Sequence, residues 1–188
     1  MNKQSCTPGM LCMILELYEK LNYKFTTQEK DECVLIVPRV MELEIKVRVN
    51  GLLSLGAVIA DMKEEKDFFL KIALQYAIDS SILQIPLSKT ALTYSTWSNM
   101  LEEIMVTIIM ADWREGAELL SRLMITQGVM SMVDGERAKQ ICYRLFGMLG
   151  EDYLKKAEDY ESICNSIDNT VLTDRYFGNL KKNTINGV

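Results

Sequence analysis

The sequence predicts an α+β fold, in which an antiparallel sheet packs with helices and is followed by a C-terminal helical extension. Apolar and charged residues alternate without error over residues 41–49, the period of two that is typical of a half-buried strand. Asn50-Gly51 follows, and this pair suits the positive φ angles of a type I′ hairpin turn. Residues 52–60 are apolar on both faces and predict the return strand of the hairpin.

Further strands and helices are predicted around this hairpin. A β-branched run over 33–37 predicts a third antiparallel strand, which Pro38 closes because proline cannot donate a ladder hydrogen bond. Residues 82–87 and 91–96 predict a short strand pair. Apolar residues at helical spacing predict the helices, which lie over 7–22, from 61 to about 80, from about 95 to as far as 123, from 134 to 150, and over 153–164.

We interpret these elements as three parts of one chain. Residues 9–126 form the predicted α+β domain, residues 127–167 the helical extension, and residues 168–188 a polar, Asn-rich tail. With 188 residues, the chain is long enough for one sizeable domain and an appended piece.

Composition narrows the classes of function. The formal charge of −5 gives no general attraction for phosphate backbones, so nucleic acid is not an expected partner. The five cysteines are odd in number and scattered, which favours a reducing compartment, and we predict a cytoplasmic protein. Glu16 interrupts the apolar N-terminal run, which indicates an amphipathic helix instead of a signal peptide. The apolar run over 104–111 is too short to span a bilayer, so membrane insertion is not expected.

The sequence predicts no catalytic residues, no metal site and no cofactor. The chain contains no histidine, and it has neither a phosphate-binding glycine motif nor a metal-ligand cluster. Five adjacent acidic pairs occur, but adjacent side chains on a helix point about 100° apart, and three of the pairs fall at predicted helix starts. We therefore expect a protein that is not an enzyme. A carboxylate-based hydrolase remains the enzymatic alternative.

Two groups of apolar residues are candidate partner-binding sites. If Asn50-Gly51 sets the register, Leu53, Leu55 and Ile59 lie on the charged face of the first hairpin strand, where something must cover them. The second group is Met124, Met130 and Met132, part of an unusually large total of twelve methionines. Methionine is an adaptable residue at binding surfaces, although it also fills cores.

The predicted order is helix, three antiparallel strands, helix, strand pair and long helix, in an acidic chain. With the segment ILQIPLSKTALTYSTW leading into a helix that ends ADWREGAELL, this order resembles the class I (Tir-chaperone-like) chaperones of bacterial type III secretion. The resemblance covers roughly residues 9–123, and small acidic adaptors of type IV coupling complexes are an equal comparison. It implies a non-catalytic chaperone or adaptor of virulence-associated protein secretion. Such a protein would bind secreted effectors or sister adaptors and form a homodimer or hetero-oligomer. A structural subunit of a stable hetero-oligomer remains the alternative.

Overall fold

The computed structural model describes residues 24–63, 67–87 and 94–165, and at 80–87 and 94–99 it describes the backbone alone. Within these ranges no β-strand occurs, and the α+β prediction is wrong because the described residues form an all-α fold. The helices are α1 (Thr27–Cys33), α2 (Ile36–Asn50), α3 (Leu55–Asp61), α4 (Phe68–Leu87), α5 (Tyr94–Ala111), α6 (Gly116–Val133), α7 (Ala138–Leu149) and α8 (Glu151–Asp159). A 3₁₀ turn at Leu52–Ser54 joins α2 to α3. The predicted N-terminal helix over 7–22 and the tail over 168–188 lie outside the described residues.

Helix α6 lies at the centre of the fold, and it packs against α1, α2, α4, α5 and α7. Its buried side chains cover most of its circumference, as expected for a helix with neighbours on all sides. Gly128 allows α2 to approach closely, because a Cβ atom there would lie 2.8 Å from Cγ1 of Val40. Helix α8 packs on α7, and α3 packs on α4. The core is thus one continuous cluster arranged around α6.

The predicted hairpin over 41–60 is helical in the structure. The strand prediction was wrong because it did not allow for a buried charged residue. Val37, Val40, Met41 and Glu44 are buried at positions i, i+3, i+4 and i+7 of α2, so the core-facing stripe includes a glutamate. The Glu44 carboxylate accepts a hydrogen bond from Arg48 one turn later, which stabilises its charge in the core. In the sequence Glu44 looks like a solvent-exposed residue between two apolar ones, and so residues 41–49 look like an alternating strand.

The Asn50-Gly51 pair is a helix end and not a hairpin turn. Gly51 has a φ of 79°, a left-handed value that favours glycine, and its N–H donates to the carbonyl of Val47 at 2.8 Å. Pro38 is tolerated in the first turn of α2, where backbone N–H groups have no intrahelical acceptor. The predicted strand over 33–37 is therefore the junction of α1 and α2.

The second predicted strand pair is also incorrect where it can be observed. Residues 82–87 are the last turns of α4, and residues 94–96 are the first turn of α5. The intervening residues 88–93 lie outside the described ranges. A short, mostly apolar run is compatible with either a strand or part of a buried helix, so its periodicity does not distinguish the two. Here the run belongs to a helix of 20 residues, which is far longer than a typical strand.

The C-terminal helices match the prediction most closely. Every residue of the stripe predicted on α7 is buried: Ala138, Ile141, Cys142, Leu145, Phe146 and Leu149. Gly150, with a φ of 113°, separates α7 from α8, as predicted for a helix end or kink. The predicted domain boundary between 126 and 127 falls inside α6, which runs unbroken from Gly116 to Val133. Residues on both sides of that boundary share one core.

Candidate interaction surface

Helix α5 carries an outer face that is almost without charge. It packs chiefly against α4 and α6, and its inward side chains are buried. In the stretch 100–111 the residues that retain exposure are Met100, Glu103, Ile104, Thr107, Ile108, Met110 and Ala111. Met100 is 44% exposed and Met110 53% exposed. Glu103 is the only charged residue among these seven.

Another surface helix shows how unusual this composition is. The exposed residues of α8 are all charged: Glu151, Asp152, Lys155, Lys156, Glu158 and Asp159. That pattern is the ordinary polar face of an amphipathic helix. A large contiguous exposed apolar patch, in contrast, is a typical feature of an interaction site.

Thr107 does not interrupt the apolar character of the α5 outer face. Its hydroxyl donates a hydrogen bond to the backbone carbonyl of Glu103 at 2.7 Å, one turn earlier on the same helix. The polar atom is therefore already satisfied within α5. The Thr107 methyl group can enter an apolar contact without leaving an unpaired donor.

A buried arginine fixes α5 relative to its neighbours. Arg122 of α6 is 8% exposed and donates to the backbone carbonyl and carboxylate of Asp112, both at 2.8 Å, and to Glu118 at 3.0 Å. Its guanidinium also lies 5.3 Å from the centre of the Phe69 ring, near the start of α4. One side chain thus holds the end of α5 beside the start of α4, and these two helices run antiparallel.

Asp112 is ionised at neutral pH in its cluster with Arg114 and Arg122. Hydrogen bonds from Arg122 and Arg114 lower the pKa of Asp112 below its ordinary value. The carboxylate therefore stays ionised and continues to accept both guanidinium groups. We interpret the cluster as a structural clamp at the α5–α6 turn.

Helix α4, which packs against α5, carries a shorter apolar strip. Phe68, Ile72 and Tyr76 follow one another at i, i+4 and i+8, and Phe68 is 63% exposed. Ile72 is half-buried against the core, and Tyr76 is exposed. The α4–α5 pair therefore presents exposed apolar side chains on both of its helices.

The structure separates the partner-binding residues predicted from the sequence. Leu55 is fully buried in α3, and Ile59 is buried one turn later, whereas Leu53 is 59% exposed on the 3₁₀ turn. Met124 and Met132 are buried in α6, and Met130 is half-buried at the edge of the core. Four of these six side chains are therefore core residues of this chain, and the six do not form one surface.

The described thiols and acids do not form a reactive centre. Burial raises the pKa of Cys33 to about 11, and burial together with the adjacent Cys164 raises the pKa of Cys142 to about 12. Neutral thiols of this kind are poor nucleophiles. In the described parts of the chain, no three His, Cys, Asp or Glu residues are grouped closely enough to hold a metal ion. Glu151 and Asp152 occupy the first turn of α8, where negative charge stabilises the helix dipole.

Sequence reasoning recognised α5 as a helix but missed its outer face. Apolar residues recur along α5 at helical spacing, but Leu101, Met105 and Ile109 are buried whereas Ile104 and Ile108 are only half-buried. A usable signal was present, because residues 94–111 contain only two charged residues, Glu102 and Glu103. Two adjacent charges cannot cover the outer face of an 18-residue helix.

No family model, curated protein or solved structure matches this chain. Among the helices in the described ranges, none combines the length and the apolar composition needed to cross a lipid bilayer. We therefore infer a function from the chemistry of the surface itself.

Proposed function

We propose that this protein is a non-catalytic binding protein that contacts a protein partner through the α5 outer face. The observation that supports the proposal is the single charge, Glu103, among the seven exposed or half-exposed residues of the stretch 100–111. Leaving a large aliphatic side chain in water instead of burying it forgoes roughly 1.5–3 kcal/mol. A partner that covers this face would recover part of that free energy.

The proposal is confined to protein binding. The role in bacterial secretion that the chaperone resemblance implies depends on a strand order, and the described residues of those strands are helical. The acidic side chains supply no competing catalytic arrangement that we can build from the described residues. Asp112 and Glu118 bind Arg122, and the acids of α8 lie at its exposed surface.

The test compares two pairs of substitutions of the same kind on different faces. Met100→Lys with Met110→Lys places two positive charges on the α5 outer face. Val49→Lys with Ile163→Lys makes the same change at two exposed apolar residues on other elements. All four positions are exposed, so each double variant should keep its thermal midpoint within a few degrees.

Tagged full-length proteins are used to purify partners from cells of the source organism, and the partners are identified by mass spectrometry. We expect a set of proteins that wild type and the Val49/Ile163 variant retain and the Met100/Met110 variant loses. If the folded Met100/Met110 variant retained every partner of the wild type, the α5 outer face would not be the binding surface.

A further inference from the structure

Four residues of the α5 outer face form a narrow seam. The seam consists of Met100, Ile104, Thr107 and Ala111, which follow one another in the sequence at steps of four, three and four positions. Alternating steps of three and four keep side chains on one line along a helix, and this is the spacing of packed helix pairs. Met100, Thr107 and Ala111 are exposed, and Ile104 is half-buried.

We infer that the partner of this seam is a second copy of the chain, packed antiparallel across a two-fold axis between residues 105 and 106. This inference depends on the proposed binding function of the α5 outer face. In that arrangement Met100 lies opposite Ala111 of the partner subunit, and Ile104 lies opposite Thr107 of the partner subunit. A large side chain meets a small one in every layer, which allows interdigitation. Because the contact is isologous, each layer occurs twice.

The charges of the face do not oppose this pairing. Glu103 of each protomer lies two and a half residues from the axis, so the two carboxylates are about 8 Å apart along the helices. Their separation across the interface adds to this distance and brings it to about one Debye length at physiological salt, where repulsion is small. Glu103 can extend towards solvent at the edge of the contact, as charged residues flanking a helix seam commonly do.

The size of the seam predicts a reversible dimer. An 18-residue helix is about 27 Å long. A strip of that length and one helix wide is well below the roughly 800 Å² per partner of a standard stable interface. We therefore expect an equilibrium between monomer and dimer that shifts with protein concentration.

The experiment measures the dimer dissociation constant of purified full-length protein by sedimentation velocity over a concentration series. Ile104→Thr should weaken the wild-type dimer at least about tenfold, because it removes the large side chain from both central layers. Adding Thr107→Ile restores one isoleucine opposite one threonine in each layer and should return the dissociation constant to near the wild-type value.

A matched control carries Ile104→Thr with Ala111→Ile. It adds the same side chain to the same helix but places it opposite Met100 of the partner subunit, so it should not restore the dimer. Circular dichroism and thermal midpoints establish that each variant is folded. Since Ile104 is half-buried, Met100→Lys with Met110→Lys serves as a second disrupting variant at exposed positions, and it should also weaken the dimer.

Three results would overturn the inference: a wild-type protein that stays monomeric at every concentration, a dimer unaffected by the Met100/Met110 variant, or equal rescue by Thr107→Ile and Ala111→Ile. The partner-purification experiment is separate from these measurements. If the wild type is monomeric and its partners are still lost from the Met100/Met110 variant, the binding function stands and the second copy is refuted. If the partners are retained by that variant, the binding function itself fails.

Discussion

Replacing Gly128 by alanine should test the packing of α2 against α6 directly. Both helices are continuous at their point of closest approach, and Val40 of α2 is buried there. A Cβ atom built on Gly128 would lie 2.8 Å from Cγ1 and 3.1 Å from Cγ2 of Val40. Carbon atoms are not tolerated at such distances, so Val40 or the whole of α2 must shift in the Gly128→Ala protein.

The expected magnitude combines two opposing effects. Alanine is more favourable than glycine inside a helix by about 1 kcal/mol. Inserting a methyl group into a close-packed core costs about 1–3 kcal/mol. Gly128→Ala should therefore lower the free energy of unfolding by up to about 2 kcal/mol. Val40→Ala alone should lower it by roughly 1–3 kcal/mol, because it deletes two buried carbons and leaves a cavity.

In the double variant the new methyl group occupies the space that Val40 vacates. The double variant should thus be more stable than the sum of the single effects predicts, by about 1–3 kcal/mol, measured as a double-mutant cycle from urea unfolding. Gly56→Ala is the control, since Gly56 is also helical but has no atom within 4 Å of its added Cβ, and it should be neutral or stabilising. Additivity within about 0.5 kcal/mol would mean that α2 does not cross α6 at Gly128, and the helical placement of residues 36–50 would be refuted.

Other substitutions test single features of the structure. Gly51→Ala should destabilise by about 1–3 kcal/mol in urea unfolding although nothing lies near its added Cβ, because a φ of 79° combined with a ψ of 164° is a backbone conformation that essentially only glycine adopts. Asp112→Asn should flatten the acid side of the stability–pH curve. In the wild type the lowered pKa of Asp112 stabilises the folded state at pH values above 3.8, the ordinary pKa of aspartate, and this stabilisation is lost as the pH falls through the lowered pKa. Urea unfolding midpoints measured at several pH values would show the difference between wild type and variant. In a protein without Cys6 and Cys12, Cys33 and Cys142 should react with a chromogenic disulfide reagent only after unfolding, and fast native labelling would contradict their burial.

The helical spacing of α7 could be read from the sequence because every buried position there is apolar or small. In α2 the same reading failed, because the charged residue Glu44 is buried whereas the apolar residues Ile45 and Val49 are exposed. Glu44 is 1% exposed, and the ion pair with Arg48 that compensates its burial joins residues four apart, which is a helical neighbour relation. Arg48 also donates to the backbone carbonyl of Glu136, beyond the end of α6. Such a long-range acceptor leaves no trace in local periodicity.

The methionines illustrate the opposite error. A cluster of methionines drew attention to Met124, Met130 and Met132, but local composition does not distinguish a central helix from a surface helix. Helix α6 is surrounded by five others, so Met124 and Met132 fill the core. Among the described residues the exposed methionines are Met100 and Met110 on α5, which packs against fewer helices. Burial depends on how many helices surround a segment, and a single helix sequence does not determine that number.

The stability of α5 does not require apolar residues at Met100 and Met110. Lysine, glutamate and methionine have similar helix propensities, so charged residues at these exposed positions would cost the helix little. A charged face such as that of α8 would also favour solubility and oppose self-association. Neither helix formation nor solubility requires these apolar side chains, and this supports the proposed contact of the α5 outer face with another surface. The seam has large residues, Met100 and Ile104, at one end and small residues, Thr107 and Ala111, at the other, and this order is the reason that the proposed dimer pairs α5 with an inverted copy of itself.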